Sequence, residues 1–284
     1  MKNIVITGVS TGIGYSATKI LIENGYRVFG SVRKQQDSDQ LKEEFGENFH
    51  PLIFDVRDEV AIKDAASIVE NIVGGDGIDC LINNSGIALG GPSLHLPTEV
   101  FKEQFEVNLF GVVSVTNIFS KLLGAYKGSL HSGKIIMISS VSGKRSYPFV
   151  GPYTASKHAL EGYSDALRRE LMLYDIDVIL VEPGPIKTAI WDKAPSPDDN
   201  PFLGTDYEDS LRIFYKQVVE KGKQGLESDS VGRLIKKIIE LRKPKTRYVI
   251  SANKLRDYYL PGLLSDRLFD KIFAKVLKLR KRFL

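Results

Sequence analysis

A single cysteine, Cys80, among 284 residues excludes an internal disulfide framework and a cysteine-rich zinc site. It stands beside Leu81 and Ile82 in a short apolar run and is read as a buried thiol. Long apolar stretches are missing as well. No run is long enough to span a bilayer, and Met1-Lys2-Asn3-Ile4-Val5-Ile6-Thr7-Gly8 is too short in apolar length for a signal peptide, so a cytoplasmic protein is expected. An excess of one charge sign is also missing outside the C-terminus. The net charge is +4, yet Arg267, Lys271, Lys275, Lys278, Arg280, Lys281 and Arg282 stand against Asp270 within residues 267–282, which leaves the rest slightly acidic. Nucleic acid is therefore not an expected partner, no metal site is expected, and neither an internal repeat nor a low-complexity tract is present.

The composition is globular, 43% hydrophobic and 26% charged, and supports one sizeable core. Residues 2–7 read as a buried strand, followed by Gly8-Val9-Ser10-Thr11-Gly12-Ile13-Gly14 and a helical pattern to about Asn24. Glycines let a backbone pass close to a pyrophosphate, and a helix N-terminus offers it N–H groups and a positive dipole end. The Gly-x-x-x-Gly-x-Gly spacing differs from the commoner Gly-x-Gly-x-x-Gly but uses the same physics. A second strand, Arg27 to Val32, runs into Arg33-Lys34 where an acidic residue would hold a ribose 2′-hydroxyl. A 2′-phosphate would meet positive charge there, so NADP(H) is favoured, with NAD(H) as the alternative.

Further strands are predicted at Phe49–Phe54, Ile78–Ile82, Lys134–Ile138, Asp177–Val181 and Arg247–Ile250, with helices over about 38–46, 97–124, 153–174 and 228–243 and another beginning near Asp58. The alternation predicts an α/β, Rossmann-type doubly wound parallel sheet of about seven strands with helices on both faces. Asp55 either accepts a hydrogen bond from an adenine or caps the helix near Asp58. Asn83-Asn84-Ser85-Gly86 reads as a turn that brings backbone against a cofactor. Asn108, among apolar neighbours in a helix interior, either satisfies a buried backbone group or holds a water in a proton path. Ala155, Ala159 and Ala166 suit tight packing of their helix on another helix or subunit. Residues 186–225 lose regular pattern and are expected to form a substrate lid on a catalytic domain of residues 1–260. The extension 261–284 places Leu264, Leu268, Phe269, Ile272, Phe273, Val276 and Leu277 at helical spacing with basic residues between; such a helix either lies on an anionic membrane or docks on the body or a second subunit.

The chemistry centres on Tyr153-Thr154-Ala155-Ser156-Lys157, whose tyrosine and lysine lie one helical turn apart. A phenol with an ordinary pKa of about 10 needs a depression of roughly 2–3 units to exchange protons near neutrality. An ammonium about 4 Å away contributes roughly 4 kcal/mol at an effective dielectric of about 20. Ser140, at the end of the fifth strand, points toward the same crevice, where its hydroxyl can hold a carbonyl oxygen.

Taken together, Thr7-Gly8-Val9-Ser10-Thr11-Gly12-Ile13-Gly14, Asn83-Asn84-Ser85-Gly86, Asn108, Ser140, Tyr153-x-x-x-Lys157 and Pro183-Gly184-x-x-x-Thr188 resemble the short-chain dehydrogenase/reductase family over about residues 1–190. The Val-Arg end of the second strand, Glu-Pro-Gly-Pro-Ile-Lys-Thr and the basic extension resemble its hydroxysteroid and retinol dehydrogenase-like branch. Ser85 departs from the family's usual alanine. The resemblance implies an NADP(H)-dependent oxidoreductase that interconverts an alcohol and a ketone or aldehyde. Tyr153 would be its acid/base, Lys157 would depress the phenol pKa and bind the nicotinamide ribose, Ser140 would orient the substrate, and Asn108 would position a water. Gly8, Ser10, Thr11, Gly12, Ile13 and Gly14 are implied for the pyrophosphate, Arg33 for the 2′-phosphate, Asp55 and Val56 for adenine, and Asn83 and Gly86 for the adenosine side. Pro183, Gly184, Ile186 and Thr188 complete the cofactor set, the last two on the carboxamide. Tyr147, Phe149, Trp191 and Phe202 are expected to wall a site for a lipophilic steroid-, retinoid- or acyl-like substrate, and a homodimer or homotetramer is implied by analogy. An NADP(H)-binding regulator or scaffold with little turnover is the competing reading.

Overall fold

The computed structural model describes residues 1–193, 196 and 198–279. Ala194, Pro195 and Pro197 of the expected lid, and Arg280 to Leu284 of the expected C-terminal helix, lie outside the described residues. Six strands, β1 (Asn3–Ile6), β2 (Arg27–Val32), β3 (Phe49–Ile53), β4 (Cys80–Asn83), β5 (Lys134–Ile138) and β6 (Asp177–Pro183), follow the apolar runs. After the two-residue strands β7 (Ile186–Lys187) and β8 (Leu226–Glu227) comes β9 (Arg247–Ile250). Seven of them form one parallel sheet in the order β3-β2-β1-β4-β5-β6-β9.

Successive side chains of a strand point to opposite faces, and both faces here are apolar. Val5, Leu81 and Ile135 join one buried cluster with residues of α3 (Glu59–Val73) and α5 (Gly111–Phe119), while Ile4, Ile6, Ile82 and Ile136 join another that α1 (Gly12–Glu23), α2 (Gln35–Phe45) and α9 (Ser228–Glu240) cover. Strand order reverses around β1 and β4, so the crevice outside their C-terminal ends is where such a sheet receives a ligand.

Several elements differ from expectation for local reasons. The helix expected over 97–124 is interrupted: α4 (Thr98–Phe105) passes through a π turn at Glu106–Phe110 into α5, and a 3-10 turn at Lys121–Leu123 ends it. Gly111 lets this helix approach Val56, whose Cγ2 would lie 2.7 Å from an added Cβ. The helix carrying Tyr153, α6 (Gly151–Glu170), starts two residues early with Pro152 in its first turn, where a missing N–H costs nothing. Residues 186–225 are not irregular loop. They hold β7, a 3-10 turn at Ala189–Lys193, α7 (Glu208–Phe214), a π turn at Tyr215–Val219 and α8 (Glu220–Lys223), pieces too short to show periodicity. The extension is also broken, into α10 (Leu260–Leu263) and α11 (Asp266–Val276), with Leu264 extended between them.

Candidate active site

The crevice holds a cavity of about 1410 Å³ that runs from the glycine turn to the C-terminal segment. Pockets for small ligands measure roughly 300–1,000 Å³, so the space suits a dinucleotide and a substrate together.

Its cofactor end is built by close backbone approach. Gly8 and Gly12 take φ of 71° and 62°, which side chains disfavour. Gly14 lies so near Gly8 that an added Cβ would stand 2.2 Å from the Gly8 carbonyl oxygen. Gly8, Ser10, Thr11, Gly12 and Ile13 line the cavity, and Gly14 serves by letting α1 pack on the turn. No side chain caps the α1 N-terminus and its first turn holds no acidic residue, so the chemistry of this cradle fits a pyrophosphate. Arg33 lines the same end.

Asp55 and Val56 also line the cavity. Asp55 is gripped by Arg57 through Nε at 2.8 Å and Nη2 at 2.7 Å, which holds its carboxyl below the usual range. The alternative that Asp55 caps α3 is corrected: Asp58 caps it, accepting from Val60 and Ala61 N–H. The side chain of Asn83 turns inward, donating to Thr116 at 2.9 Å, and Asn84, Ser85 and Gly86 line the cavity in its place. Asn84 braces the glycine turn, donating to the carbonyls of Thr7 at 2.9 Å and Gly8 at 2.8 Å, while Thr7 Oγ1 accepts from the Asn84 and Ser85 N–H groups. Neither brace follows from sequence, because the partners are over seventy residues apart.

At the chemical end Ser140, Tyr153 and Lys157 line one wall. A hydrogen bond from Ser140 favours the Tyr153 phenolate, but burial dominates and pushes the phenol pKa up. Burial pulls Lys157 down to about 8, against the nearby Glu161 carboxylate. Lys157 Nζ donates to the Ile138 carbonyl at 2.7 Å and sits 5.8 Å from the Tyr153 ring centroid. The expected depression of the phenol by Lys157 is thus not what sets the tyrosine here; the ammonium spends its contact on β5. Asn108 is buried, donating to the Ile87 carbonyl at 3.0 Å and to Ser156 Oγ at 3.1 Å, and accepting from Ile87 N–H at 2.9 Å. Of its two open roles, the side chain performs the backbone one.

Pro183, Gly184, Ile186 and Thr188 line the adjoining wall, Thr188 opposite Gly12. The Ile186 carbonyl accepts from Trp191 Nε1 at 2.7 Å, which fixes the indole on the cavity. Tyr147 meets Phe269 and Phe273 edge-on at 6.1 and 5.7 Å, and Phe149, held at φ 67°, meets Tyr207 and Phe214 at 5.9 and 5.6 Å. All four expected wall aromatics, Phe202 included, line the cavity. The C-terminal Leu264, Phe269 and Phe273 join them. Their helical spacing marked an apolar face without saying what it covers. Behind Lys157, Arg247 donates to Glu161 at 3.1 Å and Asp165 at 2.8 Å and stands 3.3 Å from buried Glu182, a β9-to-α6 tie that sequence reading missed.

The description short chain dehydrogenase fits residues 2–199 as a family model. The chain belongs to this family. Among similar proteins are the NADPH-dependent 3-dehydrocapnine reductase of Ornithobacterium rhinotracheale, 44% identical over 278 residues and 98% of each chain, and the 3-ketodihydrosphingosine reductase of Bacteroides thetaiotaomicron, 35% identical over 246 residues and 86% of each. Among solved structures, a variant of actinorhodin polyketide ketoreductase with NADPH superposes with a TM-score of 0.72 at 26% identity, covering 88% of this chain and 95% of that one. This short-chain dehydrogenase is therefore an oxidoreductase, and its NADPH-dependent relative and the NADPH-bound structural neighbour favour NADP(H) as its cofactor. Among the described residues no acidic, histidine or cysteine cluster suits a metal ion.

Proposed function

We propose that this short-chain dehydrogenase uses NADPH to reduce a ketone on a lipophilic, acyl-chain-like molecule to the alcohol. The observation that carries the reading is one cavity that joins the glycine cradle, the Ser140–Tyr153–Lys157 wall and an aromatic channel reaching the C-terminal segment. Two relatives named for 3-dehydro and 3-keto substrates support a ketone as the reacting group.

Bound NADPH supplies the hydride that the carbonyl carbon accepts. Ser140 Oγ donates to the carbonyl oxygen and holds it near Tyr153, whose phenol gives that oxygen its proton and completes the alcohol. Burial keeps the phenol protonated, which suits a proton donor. Lys157 holds the cofactor ribose and returns a proton to Tyr153. Asn108 acts by position, its amide pinning the Ile87 backbone and Ser156 beside Tyr153 and Lys157 on α6. Gly8, Ser10, Thr11, Gly12 and Ile13 bind the pyrophosphate, Arg33 the 2′-phosphate, Asp55, Val56 and Gly86 the adenosine, and Pro183, Gly184, Ile186 and Thr188 the nicotinamide side. Tyr147, Phe149 and Trp191 contact the substrate.

Assembly as a homodimer or homotetramer belongs to the same proposal. Ala155 and Ala166 are exposed and Ala159 half-buried on one side of α6, a surface low enough for close helix packing.

The test is a panel of 3-dehydrocapnine, 3-ketodihydrosphingosine, a ketosteroid and retinal, assayed with NADPH and NADH side by side. Turnover of at least one long-chain ketone with NADPH is expected. Tight NADPH binding with no turnover of any compound would make the protein a cofactor-binding regulator instead.

A further inference from the structure

The segment 254–279 presents two apolar faces. At about 100° per residue in a helix, Phe269, Phe273 and Leu277 form a stripe along α11 that faces the body, where Leu277 is buried and Phe273 meets Tyr147. Leu268, Ile272 and Val276 form the neighbouring stripe and remain 47%, 42% and 39% exposed. Arg267, Lys271 and Lys275 flank this second stripe on its far side, all exposed. The preceding turn and α10 add Leu255, Tyr259, Leu260 and Leu263 to the exposed apolar surface, Leu263 at 81%. Lys254 and Arg256 are exposed beside them. Arg145 keeps the segment on the body, donating to the carbonyls of Gly262 at 3.2 Å and Leu264 at 3.1 Å and pairing with Asp266 at 3.0 Å.

Leu260 and Ile272 belong to both surfaces. Each is more than two fifths exposed, and each lines the cavity that holds Tyr153. The cavity therefore meets the outside at the apolar patch, beside exposed Arg256, which also lines it. Contiguous apolar surface on a soluble protein marks an interaction site. Cations beside an apolar stripe match an anionic lipid surface, into which such a helix sinks its apolar side.

We infer that α10 and α11 seat the protein on an anionic lipid bilayer and that the cavity mouth between Leu260 and Ile272 takes the lipophilic ketone directly from that bilayer. The entry step rests on the proposed function; the seating does not. The helices lie on the membrane and do not cross it, since among the described residues no helix is long and apolar enough to span. Docking of a second copy of the chain on this surface is the competing occupant.

The experiment uses the full chain in flotation with vesicles of phosphatidylcholine alone or with about 30% phosphatidylglycerol. Two variants carry the test: Leu263→Glu/Leu268→Glu/Val276→Glu, whose residues do not line the cavity, and Lys271→Glu/Lys275→Glu. Flotation with the anionic vesicles and weak flotation with the neutral ones are expected, with at least about a tenfold loss of binding in either variant. NADPH binding, followed by fluorescence, should stay at the parental value and shows that the variants fold. With 3-ketodihydrosphingosine carried in anionic vesicles, NADPH oxidation should fall alongside binding. No flotation of the parent chain, or equal flotation of parent and variants, overturns the seating. A variant that dissociates an oligomer in lipid-free sedimentation velocity overturns it too, in favour of a subunit interface. If seating holds but vesicle-borne ketone is never reduced by any form, the proposed substrate fails and the bilayer contact stands.

Discussion

Lys157 donates through Nζ to the carbonyl of Ile138 at 2.7 Å, tying α6, the helix that carries Tyr153, to the end of β5. The bond keeps a buried ammonium in place at a site where burial pulls its pKa down to about 8. The charged form exists below that value and is lost above it, while the Tyr153 phenol, pushed up by burial, stays protonated over the same range. Ketone reduction should therefore be level between about pH 6 and pH 7 and fall as pH rises through about 8. A kcat/KM profile checks the sign, and a rate that climbs through this window would rule Lys157 out as the limiting group.

Arg33 lines the cavity at the β2 end, and under the proposed function it holds the 2′-phosphate. Arg33→Ser should raise the KM for NADPH by about 10- to 100-fold, the worth of a charge-assisted hydrogen bond, and leave the KM for NADH nearly unchanged. Equal losses with both cofactors would mean that Arg33 holds the fold of the turn and not the phosphate.

Two glycine substitutions separate close approach from simple helix propensity. Gly14→Ala places a methyl 2.2 Å from the Gly8 carbonyl oxygen, so the cradle must shift, and a destabilisation of about 1–3 kcal/mol with weaker NADPH binding is expected. Gly162→Ala, inside α6 with nothing within 4 Å of an added Cβ, should instead stabilise by about 0.5–1 kcal/mol. Urea unfolding of both variants gives the comparison.

Phe273 joins the C-terminal segment to the cavity by its edge contacts with Tyr147 and Phe269. Phe273→Ala should raise the KM for a long-chain ketone by about tenfold or more while leaving the KM for NADPH in place, because apolar pocket contacts are worth about 1–3 kcal/mol each. Steady-state kinetics with a short and a long ketone decide it; equal effects on both would make Phe273 a packing residue alone.

The sequence was most legible where a feature depends on near neighbours. The glycine turn, the Tyr153 and Lys157 pair and the strand runs are written in contiguous residues, and each stands where expected. Asn108 stands out in the sequence because an amide in an apolar helix must be used, but its partner, Ile87, is a contact of the folded chain. The adjacent asparagines show the same limit: nothing local says that Asn83 turns toward Thr116 while Asn84 braces Gly8. Ser85 fits beside Gly8, as expected of a small residue, with its Oγ 2.8 Å from where a Gly8 Cβ would be. In the C-terminal segment, periodicity announced one amphipathic helix, whereas the chain breaks at Leu264 and uses one apolar stripe as cavity wall.

Deuterium transfer tests the central claim most directly. With NADPH deuterated at the transferring carbon and 3-ketodihydrosphingosine as acceptor, mass spectrometry should find one deuterium on the new carbinol carbon for each NADPH consumed, and Tyr153→Phe should slow that transfer by about 10²–10⁴-fold. Transfer that proceeds at the parental rate in Tyr153→Phe would contradict the account.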